Sequence, residues 1–493
     1  MNPTKIFELK GKDIMQGLSI QSGLALGGIY QTAANFDPFE TMGYLQPSLA
    51  PVQIDPATIT TQTNYFTSTT DGYVYALGHR AGTGGKCFYR IKVLDGTVTD
   101  YSDYIGKNEA TGAIPHNGLA FYGGRIIYES NNKLRSNANP PVNGTGANED
   151  VEILATDLVG STSTSLIPTV FCIGHDGYLY YTAVYGYGVG KIVTTNATTN
   201  NINNAFTFTD HNLYPKDITD DGTYLIITAD TNPLRNTDIE SQCKVFFWDC
   251  ISAKASIIYT IPDSYLISGK YIDGKVVILG ASGIWICNQV SAPKLVFPLS
   301  STKLPTGANQ VTVKGNIMYW TGANGKVYAF GAKIGNPIVY SPFVTTDSDN
   351  LQTAIISSGP YFFVSLDAGT NTPKIYQHNS GTTRASLTAQ TTTITLPQQY
   401  SLSYVKMDLK SALSAGQTVS VKLLNGNSEV IMDTNDKAFA TVGAIKNLVF
   451  NPKPATNSVK VFEDISLIVI LQGGAVAQRI SIYGVPTSDY SQK

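Results

Sequence analysis

Charge is scarce in this chain. Asp, Glu, Lys and Arg make up 14% of its 493 residues, against about 25% in an ordinary soluble protein. The formal net charge is −2, so the basic surplus of an electrostatic nucleic-acid binder is missing. Cysteine is sparse as well. Cys87, Cys172, Cys243, Cys250 and Cys287 are an odd set, lie inside apolar runs, show no zinc-site spacing and include no adjacent pair. They read as buried thiols. No apolar run reaches the length of about 18 residues that a helical membrane span needs. No apolar core follows the lysines of the opening MNPTKIFELKGKD, so no secretory signal is expected there and folding in a cytoplasm is the simplest reading. Helical periodicity is missing between residues 52 and 385, which points to an all-β fold.

Catalytic motifs are missing too. There is no HExxH, no HxH and no Gly-x-Ser-x-Gly, so neither a zinc hydrolase nor a serine-hydrolase elbow is indicated. The histidines, His79, His116, His175, His211 and His378, are scattered along the chain. Asp217, Asp220 and Asp221 stand close together in KDITDDG. They lack the alternate-residue oxygens and the distant acid of a calcium loop, and read as turn formers before Gly222. No cofactor and no metal are expected.

What is present is a repeat. Gly315–Lys333 reads as strand, turn, strand: Ile317, Tyr319, Val327 and Ala329 alternate with their neighbours around the turn Gly322-Ala323-Asn324-Gly325. A glycine, one residue, then an apolar run recurs at Gly72, Gly124, Gly177, Gly222, Gly274, Gly315 and Gly359, at intervals of 52, 53, 45, 52, 41 and 44 residues. Units of about 40 to 50 residues built from short strands are the signature of β-propeller blades. Seven blades are expected over residues 52–385, with the marker glycines at the turn between first and second strands. The seventh unit shows no fourth strand of its own. Val52–Ile59, flanked by Pro51 and containing Pro56, suits an edge strand, and is expected to pair beside Lys374–His378 and close the ring.

Residues 1–51 do not fit the repeat. Met1–Gly28 suits a short helix or a strand. Phe36–Pro51, interrupted by Pro38, Pro47 and Pro51, reads as an extended arm free to lie on a neighbour, with Phe36, Phe39 and Tyr44 as anchors. From residue 386 the composition changes, and residues 386–493 read as a small antiparallel β-sandwich. Tyr185 and Tyr187, between glycines, are candidate contacts for a protein partner or a glycan.

Three local resemblances bear on function. Ser365-Leu366-Asp367-Ala368-Gly369 is similar to the start of the sialidase Ser-x-Asp-x-Gly box, but Thr372 replaces its aromatic residue and the box occurs once, so it reads as a plain turn. KVYAFGAKIG from Lys326 is similar to the repeat of quinone-binding propellers, whose vicinal disulfide this chain lacks. The order of an arm carrying Phe36-Asp37-Pro38-Phe39 and Gly43-Tyr44-Leu45-Gln46-Pro47, a propeller and a small β module resembles virion structural proteins of the neck or tail of tailed bacteriophages. That resemblance implies a non-enzymatic virion component, made in the host cytoplasm, with other virion proteins and copies of itself in a symmetric assembly as partners. A carbohydrate-active propeller, glycoside hydrolase or lectin, is the alternative, with a host glycan as ligand. Nucleic acid and membrane insertion are not expected.

Overall fold

Strands dominate because the chain alternates apolar and polar residues and is punctuated by glycine. The structure, a computed structural model, describes residues 2–19, 29–38, 40, 42–55, 58–59, 63–80, 85–105, 118–130, 133–142, 150–154, 169–182, 188–232, 241–331, 338–344, 351–367, 373–426, 430–432, 436–452 and 461–487. By its contacts the chain divides into two units. One is residues 52–325 with 347–377, and the other is residues 1–51, 326–346 and 378–493.

Seven four-stranded antiparallel sheets form a seven-bladed β-propeller. The innermost strands are Tyr65–Ser68, Leu119–Tyr122, Phe171–Ile173, Tyr214–Asp220, Leu266–Ile272, Val311–Lys314 and Leu351–Ser358. All seven marker glycines sit in the turn after an innermost strand, with φ between +55° and +88°. Gly72 shows why glycine is used there. A Cβ at Gly72 would meet nothing within 4 Å, so the constraint is its backbone angle of +85°, which a side chain disfavours.

The seventh sheet takes its fourth strand from the start of the propeller. Val52 is paired with Gln377 and Gln53 with Tyr376, and the Ile54 amide donates to the Ile375 carbonyl at 2.9 Å. Ile54 then packs in one buried cluster with Phe363 and Ile375 of the seventh blade and Val74, Cys87 and Tyr89 of the first. The ring is therefore closed by backbone hydrogen bonds and by a wedge of apolar side chains. Similar wedges fill the spaces between other neighbouring blades. Between the third and fourth, Tyr180, Phe206, Phe208, Phe246 and Trp248 pack together, with Tyr180 edge-on to Trp248 at 5.7 Å. Each such buried aromatic contributes about 3 kcal/mol.

The second unit is built on a ten-stranded antiparallel sheet. Strands expected to form a sandwich are joined in one hydrogen-bonded sheet, and two of its strands come from the N-terminal region. Thr4–Lys10 pairs with Ala477–Pro486, and Tyr30–Ala34 pairs with Leu387–Thr391. The expectation of a free arm is thus corrected. Leu9, Ile14, Leu18, Tyr30 and Phe36 are all buried, so these residues fold back onto their own chain because their apolar positions find partners there. The prolines have the expected effect, since between residues 36 and 51 the pairing seen among the described residues is confined to isolated bridges, Phe36 to Pro47, Leu45 to Ala477 and Leu49 to Arg384. Arg384 pins this stretch by an ion pair with Glu40 at 2.7 Å and a hydrogen bond to the Pro47 carbonyl at 2.6 Å. The outer pair of the sixth sheet, Lys326–Gly331 and Ile338–Val344, is grouped by its contacts with this second unit.

Candidate functional site

Alternate side chains of each blade pack against its two neighbours, and the innermost strands of all seven blades border the space between them. Together they enclose a central channel of about 380 Å³. Phe171, Tyr271, Thr169, Thr312 and Asn309 line it, and Lys270 brings the one charged side chain among the described wall residues. The wall therefore shows no Asp or Glu among those residues, and does not present the two carboxylates a glycosidase holds about 5–9.5 Å apart.

Lys270 is held in place from behind. Its Nζ donates to Asp217 Oδ1 at 2.7 Å, and the Asp217 side chain is fully buried. The same carboxylate accepts from the Ile218 amide at 2.9 Å, the Gly269 amide at 3.1 Å and the Ser268 hydroxyl. Four donors thus satisfy a charge that would be costly to bury alone. The arrangement requires the fourth and fifth blades to approach closely at Gly269, where a Cβ would fall 2.5 Å from Thr228 Cγ2. The reading of Asp217 as a turn former is corrected, because it lies within the strand Tyr214–Asp220. Asp220 and Asp221 do serve the turn. Asp220 Oδ1 accepts from the Gly222 amide at 2.7 Å, and Asp221 Oδ1 from the Thr223 and Tyr224 amides at 2.8 and 2.7 Å.

The face carrying the marker glycines is a second surface of interest. In an antiparallel blade, the turn after the third strand lies at the same end as the turn after the first. At three such tips stand Leu94, Ile251 and Val290, which are 74%, 90% and 88% exposed. Val290 borders a cleft of about 270 Å³ with Asp221, Phe247, Tyr271 and Gln289. Ion pairs surround these tips. Arg90 bonds Asp71 at 3.3 Å while lying 3.4 Å over the Tyr73 ring. Lys191 bonds Asp176 at 2.8 Å and lies 4.0 Å over Tyr178, so ring and carboxylate together hold each cation. His175 Nδ1 meets Asp220 at 2.8 Å. Burial works against charge on this imidazole, but the hydrogen bond and charge of Asp220 outweigh it and raise its pKa.

Of the residues singled out in the sequence, Phe36 is 1% exposed and packs edge-on against Tyr30 at 5.6 Å, so it is not an external anchor. Tyr44 is half-buried under Lys410, whose Nζ lies 4.6 Å from the ring centroid. Phe39, Tyr185 and Tyr187 lie outside the described residues. Ser365 is not in a turn but in the strand Tyr361–Asp367, where its hydroxyl donates to the Thr63 carbonyl at 2.7 Å. All five cysteines are free thiols. Burial pushes Cys172, Cys243 and Cys287 up to about 12 and Cys250 up to about 11, leaving them unreactive. No group of three or more metal-ligating side chains is found among the described residues. Lys270 was missed in the sequence, although a lysine inside the apolar run LISGKYI is the signal that marks a paired buried charge, and Asp217 was noticed but given to the turn.

No family model and no curated protein matches the chain. Solved structures do resemble it. The Dos1 propeller is 10% identical with a TM-score of 0.43, over 68% of this chain and 95% of its own. YCF48 bound to D1 peptide is 10% identical with a TM-score of 0.44, over 69% and 97%. The Pan2 WD40 domain of Neurospora crassa is 8% identical with a TM-score of 0.43, over 68% and 96%. These are likenesses of chain path at low identity.

Proposed function

We propose that the protein is a structural and interaction component of a larger assembly rather than an enzyme, with the propeller as its rigid scaffold. The observation that carries this reading is the set of apolar tips on one propeller face, Leu94, Ile251 and Val290, exposed to water at 74%, 90% and 88%. Covering three such side chains is worth about 5 kcal/mol, and the cleft beside Val290 offers a partner a place to seat an anchor. The tailed-phage resemblance of Phe36–Pro47 makes a virion, in its neck or tail, the assembly we propose. Its partners are then other virion proteins and further copies of this chain in a symmetric ring, with a host glycan as an additional ligand.

The test is direct. Particles banded from an infected culture, probed with antibody to the purified protein and then imaged, are expected to carry it in symmetric copies. A chain carrying Leu94→Ser, Ile251→Ser and Val290→Ser is expected to fold normally by circular dichroism and to be left out of the particles. Protein found only in the soluble fraction, or a triple variant that is incorporated as before, sinks the reading.

A further inference from the structure

The geometry points to a binding site in the central channel for a small organic anion, a carboxylate or phosphate carried on a ring or apolar body, with Lys270 as its charge partner. This is independent of the assembly role. The cavity of about 380 Å³ lies within the size range of small-molecule sites, roughly 300–1,000 Å³. Its described wall carries one charged residue, and that charge is positive. An ammonium has three donors. One bond from Lys270, to Asp217 at 2.7 Å, faces a carboxylate that three further donors already satisfy.

Asp217 therefore orients Lys270, while its own charge is spread over hydrogen bonds on the protein side. An anion in the channel meets a fixed cation with little water between them, where attraction is stronger than in bulk solvent. A cation would find no Asp or Glu among the described wall residues.

A second observation points the same way. Thr169 lines the channel, is 4% exposed, and its hydroxyl is buried without a hydrogen-bond partner. The hydroxyl has no surface open to the channel as it stands, but rotation about the Thr169 Cα–Cβ bond would bring it to a ligand oxygen and remove the cost of about 1–3 kcal/mol that a buried unpaired hydroxyl carries. Phe171 and Tyr271, on the same wall, supply aromatic surface for the body of the ligand.

Saturation-transfer NMR with the full-length protein tests this, using benzoate, phenyl phosphate and the neutral benzamide as probes. Benzoate or phenyl phosphate is expected to bind saturably and benzamide much more weakly. Which of the two anions binds tighter identifies the head group. Lys270→Met is expected to abolish anion binding, and Lys270→Arg to retain it. Thr169→Val, which leaves the ion pair intact, is expected to weaken binding about fivefold. Should Lys270→Met fail to fold because Asp217 loses its partner, Thr169→Val and the benzamide comparison still decide. Equal binding of benzoate and benzamide overturns the proposal. So does anion binding unchanged by Thr169→Val, or no saturable binding of either anion to the wild-type protein.

Discussion

His378 shows what a single buried side chain asks of this fold. It is fully buried, neither ring nitrogen has a hydrogen-bond partner, and the ring lies 4.7 Å from that of Phe343. It is packed as an aromatic hydrocarbon, and burial pushes its pKa from 6.5 down to about 3. The consequence for stability has a definite sign. Protons bind the unfolded histidine below pH 6.5 but the folded one only near pH 3, so its contribution is complete above 6.5 and shrinks as pH falls toward 3. Between pH 7 and pH 5 the loss is about 2 kcal/mol. His378→Leu is expected to remove that increment. Denaturant melts of both proteins at the two pH values measure it, and parallel pH profiles would show that the imidazole does not carry the effect. The thiols, by contrast, are pushed so far up that ordinary pH changes leave them neutral.

At the scale of elements, two truncations separate the jobs of the N-terminal region. Removing residues 1–35 takes away both Thr4–Lys10 and Tyr30–Ala34, with the buried Leu9, Ile14 and Leu18. The ten-stranded sheet is expected to be destabilised, with faster hydrogen exchange in Ala477–Pro486 and unchanged protection of Lys374–His378. Removing residues 1–60 also takes Val52–Gln53 and Ile54, and is expected to expose Lys374–His378 as the ring opens. If Lys374–His378 is equally protected in both, the closing strand does not hold the ring. The blades were legible in the sequence because a backbone angle of +55° to +88° selects glycine at a fixed place in every unit. The closing strand was legible because one blade lacked a partner. The pairing of Leu9 with Ile480 was not, since nothing local marks a partner so distant along the chain. Asp217 hid among turn-forming neighbours, since only its burial separates it from Asp220 and Asp221.

For the molecule as a whole, the sequence drew boundaries at 51 and 385; the contacts also divide the chain at 51, but they divide it at 377 rather than 385 and group residues 326–346 with the terminal segments. The last strand of the sixth blade, Ile338–Val344, is an edge, and an edge left bare invites pairing with other chains. Here residues from the N-terminal region occupy it: the Leu18 amide donates to the Val339 carbonyl at 2.7 Å and the Phe36 amide to the Ser341 carbonyl at 3.1 Å. The two acceptors are alternate residues of one strand, as expected for the outward side of an edge. Gly17 completes the contact, since a Cβ there would lie 2.2 Å from the Val339 oxygen. A fragment of residues 52–385, the propeller as the repeats define it, keeps every blade but loses this cover. It is expected to self-associate in size-exclusion chromatography and to exchange the amides of 338–344 faster than the full chain does. Adding back residues 1–51 in trans is expected to slow that exchange only weakly, because the same segment is anchored in the full chain by Leu387–Thr391 and Ala477–Pro486. A monomeric fragment with full-chain protection at 338–344 would mean that the ring needs no covering at its sixth blade.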